Sequence, residues 1–171
     1  LLIKPATDNR DDIIDKNGIV STEVRSRIGL SAKALAVSAL DCLVSLYIKE
    51  REKNRVDVII CDECQFLTEK QVDELKDIAD LYDVPVLCFG LRADFRTKLF
   101  SGSKRLFEIA DSISEIKSIC RCGRKATVNA RLDADGKIEI LGEQVCIGGN
   151  ERYVGMCYRC YREHIRKQEL S

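Results

Sequence analysis

The 171-residue sequence predicts an α/β fold, with a doubly wound, mostly parallel sheet followed by a small β domain. Two observations predict it. Up to about residue 119, continuous apolar runs, typical of strands buried on both faces, alternate with helical patterns. After Cys120 the sequence changes to short strand patterns separated by turn residues. We therefore expect a first domain over residues 1–117 and a second over residues 118–171.

The first domain begins with a strand at Leu1–Pro5. The polar segment 6–29 lacks apolar periodicity and predicts a long loop. From Ser31 to about Glu52 a helix is predicted, because apolar residues recur there at helical spacing. These residues are Leu35, Ala39, Leu43, Leu46 and Ile48. The apolar run Val56–Cys61 then predicts a buried strand.

Thr68 and Gln71 form the pattern of a capping box and predict the start of the next helix. The apolar residues of that helix follow at steps of three and four: Val72, Leu75, Ile78, Ala79 and Tyr82. A buried strand at Val84–Gly90, a helix at Lys98–Ala110 and a strand at Ser114–Ile119 complete the alternation.

The second domain is predicted to contain short antiparallel strands and one helix. The segment "KATVNARLDADGKIEILGEQVCIGG" predicts short antiparallel strands, and its Asp135-Gly136 pair is a strong hairpin-turn signal. The final segment, "MCYRCYREHIRKQEL", predicts a short terminal helix.

Composition excludes several classes of function. The 28 basic residues balance 28 acidic ones, so nothing indicates a surface for nucleic acid. No apolar run approaches the ~20 residues of a membrane span. Nine cysteines without a secretory signal indicate a reducing compartment and a cytoplasmic protein. The sequence opens within a strand and its only methionine is Met156, so we expect an initiating methionine and an N-terminal element to precede it.

The cysteines fall into two groups. Five occur singly in apolar surroundings and are expected to be small buried side chains. These are Cys42, Cys61, Cys64, Cys88 and Cys146. The other four form two close pairs that predict a structural four-thiolate Zn²⁺ site, in preference to four unrelated thiols. These are Cys120, Cys122, Cys157 and Cys160. His164 is the competing ligand, although a lone histidine on a charged helix is more typical of the surface.

Asp62 and Glu63 follow directly after a predicted buried strand. In such a place one carboxylate typically holds Mg²⁺ through water, while its neighbour orients or deprotonates an attacking group. The structural alternative is a pair of acids before a helix, favoured by the helix dipole. A helicase-type reading needs a longer chain and a nucleic-acid groove, which this composition does not favour.

Other strand ends carry further candidates for ligand contact. Asp8-Asn9-Arg10 follows the first strand, where Arg10 is suited to phosphate or belongs to a simple turn. Four side chains form either an apolar pocket or ordinary core: Phe66, Leu91, Phe95 and Tyr153. The paired glycines of "IGGNERY" allow the backbone to approach a ligand or another strand closely.

Six motifs occur in order from Lys4 to Cys160: "KPATDNR", "DECQF", "GLRADF", "CRCGRKAT", "IGGNERY" and "CYRC". In this combination the chain resembles the thymidine kinases found in human cytosol and many bacteria, and it is nearer to the bacterial branch. The resemblance implies a P-loop-type α/β domain with a small zinc domain, assembled as a homotetramer. It implies transfer of the γ-phosphoryl group of ATP to the 5′-hydroxyl of thymidine or deoxyuridine with Mg²⁺, and feedback inhibition by dTTP.

The resemblance also implies residue roles. Glu63 would be the general base, Asp62 would assist Mg²⁺, and Arg10 with Asp8 would lie against the phosphates. Phe66, Leu91 and Tyr153 would enclose the thymine, with Phe95 close by and backbone groups of Ile147, Gly148 and Gly149 at the base edge. Residues 126–153 would form a loop that closes over the nucleoside, and the four paired cysteines would hold zinc.

The sequence departs from the family pattern in three places. The C-x-C spacing of Cys120 and Cys122 differs from the C-x-x-C of the human-like branch but fits bacterial variants. The phosphate loop G-x-x-x-x-G-K-[ST], whose backbone and lysine position the β- and γ-phosphates, is absent, and we expect it before Leu1. Asn129 stands where some relatives carry threonine near the base, which bears on nucleoside selectivity.

The alternative function is a non-catalytic zinc-ribbon binding module on a degenerate P-loop fold.

Overall fold

A computed structural model describes residues 1–7, 13–14, 20–25, 28–144 and 152–170. They group into two compact units. Unit 1 comprises Leu1–Arg92 and Phe100–Asp111, and unit 2 comprises Ala93–Leu99 and Ser112–Ser171. Within the described ranges, no helix is both long enough and apolar enough to cross a membrane.

Unit 1 is built on a six-stranded sheet in the order β2-β3-β4-β1-β5-β6. Neighbours among β4, β1, β5 and β6 are parallel, whereas β2 and β3 are joined antiparallel to its edge. The strands are β1 (Leu2–Pro5), β2 (Ile13–Ile14), β3 (Val20–Arg25), β4 (Ser31–Val37), β5 (Ile59–Cys61) and β6 (Val86–Cys88). The prediction of an α/β fold with a mostly parallel sheet is confirmed.

Three helices accompany this sheet: α1 (Leu43–Lys53), α2 (Glu69–Tyr82) and α3 (Ser101–Ile109). The predicted capping box begins α2, since the Thr68 hydroxyl accepts from the backbone N–H of Gln71 at 3.2 Å and the Gln71 side chain accepts from Thr68 N–H at 3.1 Å. The core of the unit includes Ile3, Val37, Leu43, Tyr47, Ile59, Cys61, Cys64, Leu67, Val72, Leu75 and Ile78.

Two predictions for the first fifty residues are wrong. Part of the expected loop over 6–29 forms strand β3, and the first part of the expected helix forms strand β4. Residues 31–37 are rich in helix formers, but β4 is hydrogen-bonded to β1 on one side and β3 on the other. Tertiary pairing therefore overrides local propensity. The helix starts only after a turn in which Ser38 N–H donates to the Asp41 carboxylate at 2.6 Å.

Side chains of α2 fix the start of α1. The Cys42 side chain makes no capping hydrogen bond, and instead Glu74 accepts from the backbone N–H of Leu43 at 2.6 Å. The amide of Gln71 donates to the Ser38 carbonyl at 2.7 Å. Since Glu74 and Gln71 are both buried, these bonds join α1 and α2 into one layer.

Unit 2 contains two small antiparallel sheets and one helix. One sheet pairs β7 (Ser118–Ile119) with β8 (Lys125–Ala126), the other pairs β9 (Val128–Arg131) with β10 (Tyr153–Met156), and α4 spans Tyr158–Glu169. The strand predicted at 114–119 as part of the first domain is wrong. Only Ser118 and Ile119 are extended, and they pair with β8 outside the six-stranded sheet. Residues 111–119 are exposed, unlike a strand buried in a parallel sheet. The terminal helix is confirmed. At the predicted Asp135-Gly136 turn, Asp133 and Lys137 are hydrogen-bonded and Gly136 has φ +76°.

Candidate functional site

The acidic pair lies where β5 ends, between its parallel neighbours β1 and β6. Asp62 N–H donates to the Ile3 carbonyl at 3.0 Å, which continues the ladder with β1 by one residue. Glu63 then adopts left-handed backbone dihedrals, φ 50° and ψ 36°. A non-glycine residue in this region is held there against its own preference, and such residues concentrate at functional sites.

The Glu63 carboxylate is held by a residue that sequence reasoning missed. Gln65 is only 1% exposed, and its amide nitrogen donates to Glu63 Oε2 at 2.5 Å. Its amide oxygen accepts from the backbone N–H of Leu91 at 3.0 Å. A single buried amide therefore links the acidic pair to the segment after β6. The available signal was a polar residue in an otherwise apolar "CQFL" run.

Two glycines permit this arrangement. A Cβ atom on Gly90 would lie 2.4 Å from Gln65 Oε1 and 2.8 Å from Cys64 Sγ. A Cβ atom on Gly102, near the start of α3, would lie 2.6 Å from the Cys64 carbonyl oxygen and 2.8 Å from that of Leu67. The turn that follows Glu63 is therefore enclosed by backbone on both sides.

The apolar candidates of unit 1 are Phe66, which lies in this turn, and Leu91, which is hydrogen-bonded to it through Gln65. The Phe66 ring meets the Phe100 ring edge to face, with centroids 5.6 Å apart. The Leu91 side chain is 42% exposed. Its backbone is held by two hydrogen bonds, since its N–H donates to the Gln65 side chain and its carbonyl accepts from the Ser103 hydroxyl at 2.6 Å. Leu91 thus presents an exposed apolar side chain from a rigid backbone.

Three cysteines pack beneath the acidic pair. Cys61 and Cys88 are register partners on β5 and β6, and Cys64 N–H donates to the Phe89 carbonyl at 2.9 Å. Hydrogen bonding to Cys88, followed by burial, raises the pKa of both Cys61 and Cys64. Both are buried neutral thiols in the core, as predicted. Cys146 lies outside the described residues.

In unit 2 the four paired cysteines converge. The Sγ atoms of Cys120, Cys122, Cys157 and Cys160 all lie within 4.8 Å of one another, and Cys122 and Cys157 are 3.6 Å apart. A tetrahedral Zn²⁺ with bonds of about 2.3 Å requires sulfur–sulfur separations of about 3.8 Å. The donor set and its spacing therefore fit zinc. His164 is exposed on α4, and this group consists of the four thiols alone.

Local sequence explains how each pair is presented. Cys120 opens a tight turn in which Gly123 N–H donates to the Cys120 carbonyl at 2.8 Å, and Gly123 has φ +82°. Cys157 is the N-cap of α4, and its sulfur accepts from Cys160 N–H at 3.5 Å. The backbone N–H groups of Cys122 and Cys157 lower the pKa of Cys120 to about 6, which favours the thiolate form that binds metal.

The β9–β10 sheet carries two further candidates on one face. Arg131 is opposite Tyr153 and Asn129 is opposite Gly155, so these side chains share a face of the ribbon. Burial lowers the pKa of Arg131, but the Tyr153 hydroxyl and the Glu139 carboxylate outweigh burial and leave it above its ordinary value. Sequence reasoning singled out Asn129 and Tyr153 but missed Arg131.

Phe95 is 1% exposed and packs within unit 2. The Arg131 guanidinium lies 3.7 Å from the centroid of the Phe95 ring. The Phe95 carbonyl accepts from the Tyr161 hydroxyl at 3.0 Å. The remaining predicted residues lie outside the described residues. They are Asp8, Asn9, Arg10, Ile147, Gly148 and Gly149.

These features define an α/β protein with acidic groups at the carboxyl end of a central parallel strand and a cluster of four thiols whose spacing fits zinc. The thymidine kinase family model matches residues 1–161. The chain belongs to the thymidine kinase family, as its motifs predict.

Curated relatives agree with the family match. A thymidine kinase from Shewanella oneidensis is 47% identical over 143 residues, which cover 84% of this chain and 74% of the relative. One from Yersinia pestis is 49% identical, covering 84% and 73%. One from Escherichia coli K12 is 46% identical over 149 residues, covering 87% and 73%. All three are bacterial, which agrees with the branch that the motifs indicate.

Proposed function

We propose that the protein transfers the γ-phosphoryl group of ATP to the 5′-hydroxyl of thymidine, and of deoxyuridine, to give the 5′-monophosphate for nucleotide salvage. It would thus be a phosphotransferase with an alcohol group as acceptor. The observation that carries the proposal is the Glu63 carboxylate, which follows β5 on a left-handed backbone and is oriented by the buried Gln65 amide. Membership of the thymidine kinase family supports the choice of nucleoside.

Glu63 is the proposed general base. As the 5′-oxygen attacks the γ-phosphorus, the bond to the leaving ADP oxygen breaks and the hydroxyl proton passes to the Glu63 carboxylate. The Gln65 amide fixes the direction in which this carboxylate points, because its own oxygen is tied to Leu91 N–H. A base with a fixed orientation does not lose freedom when the nucleoside binds.

Asp62 and Arg10 are the proposed partners of the phosphates. A carboxylate such as that of Asp62, together with substrate phosphate oxygens, is a usual ligand set for Mg²⁺. When bound, Mg²⁺ would neutralise charge on the transferring group. We assign Arg10, with Asp8 beside it, to the phosphate oxygens because guanidinium groups pair with them in a bidentate manner.

We assign thymine binding to the residues that the family resemblance implies. Phe66 and Leu91 would contribute apolar surface, and Tyr153 would contribute an aromatic ring. Phe95 would lie close by, Asn129 would affect base selectivity, and backbone groups of Ile147, Gly148 and Gly149 would read the base edge. An apolar lining with a few fixed polar groups is typical of sites for small ligands.

Zn²⁺ is the proposed structural ion, held by Cys120, Cys122, Cys157 and Cys160 with no open coordination position. We further propose that the protein is a homotetramer inhibited by dTTP, as the family resemblance implies. The free thiols among the described residues suit the reducing cytoplasm.

The test is an ATP-dependent thymidine phosphorylation assay on the full-length protein. Glu63→Gln removes the base and keeps the side-chain size, so kcat should fall by about 10²–10⁴-fold. Glu52→Gln, an exposed change on α1, is the matched control and should keep full turnover. Near-normal turnover of Glu63→Gln would refute the base assignment. If the unaltered protein held zinc but phosphorylated no nucleoside, the non-catalytic binding module would be the better interpretation.

A further inference from the structure

Arg131 is a buried cation in unit 2. It is 4% exposed, and its Nε pairs with the Glu139 carboxylate. Its Nη1 donates to the Glu143 carbonyl at 3.0 Å. A buried guanidinium requires such partners, because an unpaired charge away from water is strongly unfavourable. Its position is therefore specified by groups from several segments of the unit.

The face of the same guanidinium covers the Phe95 ring, with its central carbon 3.7 Å from the ring centroid. The planar shape of arginine suits this stacking, and lysine does not reproduce it. From α4, the Tyr161 hydroxyl donates to the Phe95 carbonyl at 3.0 Å. Phe95 is thus fixed through its ring by Arg131 and through its backbone by Tyr161.

Arg131 also faces Tyr153, its register partner across the β9–β10 ribbon. The short segment 142–144 is held against it, since a Cβ on Gly142 would lie 2.7 Å from Arg131 Nη2. The neighbouring Gln144 amide donates to the buried Asp94 carboxylate at 3.2 Å, next to Phe95 in sequence. One guanidinium therefore contacts Phe95 and faces Tyr153, the two aromatic residues of unit 2 that are assigned above to thymine.

We propose that Arg131 is a positioning residue for nucleoside binding, which acts by fixing the Phe95 ring and the Tyr153 side of the β9–β10 ribbon. The proposal rests on the proposed function, because Phe95 and Tyr153 matter here through their assignment to thymine. The contacts of Arg131 with Phe95 and Tyr153 involve residues assigned to thymine, so its loss should affect thymidine binding more than phosphoryl transfer.

The test compares Arg131→Met with Arg131→Lys and a matched control. Arg131→Met keeps an apolar side chain over Phe95 but removes the charge and the donated hydrogen bonds. The KM for thymidine should rise between about tenfold and about 100-fold, whereas kcat and the KM for ATP should change by less than about threefold. Arg131→Lys keeps the charge beside Glu139 and should restore only part of the affinity.

Arg152→Met is the control. Arg152 also pairs with Glu139, but it is exposed, and it donates to the Leu132 carbonyl instead of stacking on Phe95. It should leave both KM values unchanged. An unchanged thymidine KM in Arg131→Met, or an equal rise in the KM values for thymidine and ATP, would overturn the proposal.

If Arg131→Met does not fold, Tyr161→Phe supplies the same test with a smaller change, since it removes only the hydroxyl that holds the Phe95 carbonyl. The thymidine KM should then rise by about two- to fivefold at constant kcat, and no rise would contradict the proposal. Calorimetric titration with thymidine tests the role of Arg131 separately from the proposed kinase activity. If the unaltered protein binds thymidine but does not phosphorylate it, the proposed function is refuted and the effect of Arg131 on binding is still measured. If it neither binds nor phosphorylates thymidine, both the proposed function and the role of Arg131 are overturned.

Discussion

Gly102→Ala should lower the free energy of unfolding, although helix propensity alone predicts that it raises it. Gly102 is the second residue of α3, where alanine ordinarily stabilises a helix by about 0.5–1 kcal/mol relative to glycine. Here the new Cβ would lie 2.6, 2.8 and 3.0 Å from the carbonyl oxygens of Cys64, Leu67 and Gln65. These are backbone atoms of the turn after Glu63, and no side-chain rotation relieves the overlap.

Overpacking of this kind typically costs about 1–3 kcal/mol. With the middle of each range, a cost of ~2 kcal/mol less a propensity gain of ~0.75 kcal/mol, the free energy of unfolding should fall by about 1 kcal/mol. Denaturant titration measures it, with Ser101→Ala, the exposed neighbour, as the control. Because the displaced carbonyls belong to the turn that orients Glu63, kcat should fall as well. A Gly102→Ala protein as stable as the unaltered one, with normal kcat, would show that α3 does not constrain this turn.

Three further changes test other contacts. Gln65→Leu leaves the backbone N–H of Leu91 without its buried acceptor, so the free energy of unfolding should fall by about 1–3 kcal/mol and kcat should decrease. An unchanged denaturation midpoint would contradict the hydrogen bond from Leu91 to Gln65. Thr68→Ala removes the cap of α2 and should cost about 1 kcal/mol in denaturant titration, whereas Thr68→Ser should cost little. Cys122→Ser should reduce bound zinc measured by elemental analysis from about one ion per chain to a small fraction, with Cys42→Ser as the unaffected control.

The pKa of Cys120 gives the expected pH dependence of metal binding. Backbone N–H groups lower this pKa to about 6, so the thiol is already ionised at neutral pH and becomes protonated only as the pH falls through 6. Zinc binding requires the thiolate. The apparent zinc affinity, measured by chelator competition, should therefore decrease more steeply with acid below pH 6 than above it. A constant slope through pH 6 would contradict the assignment.

The sequence predicts those parts of the fold that are determined locally. The capping box at Thr68 and Gln71 uses residues three apart, so its pattern is visible without knowledge of the fold. The C-x-x-C pair works in the same way, because Cys157 caps the helix that carries Cys160. Strand β4 is the opposite case. Its residues favour a helix, and only hydrogen bonds to β1 and β3 make it a strand.

The same distinction applies to the candidate site. Adjacent carboxylates at the end of an apolar run mark Asp62 and Glu63 in the sequence itself. The bond from Gln65 to Leu91 spans 26 residues, and nothing local indicates it. The stacking of Arg131 on Phe95 joins segments still further apart in the chain, and an arginine in a short strand gives no sign that it is buried. Side chains that support the site are thus harder to predict than those proposed to act in it.

The left-handed backbone of Glu63 and the hydrogen bond to its carboxylate oppose each other in their effect on stability. At φ 50° and ψ 36° a glycine would avoid a strain of order 1–2 kcal/mol. Removal of the carboxylate would also leave the buried Gln65 amide without its acceptor, at a cost of about 1–3 kcal/mol. The strained residue is therefore retained at little net cost, and a glycine at this position should not give a more stable protein.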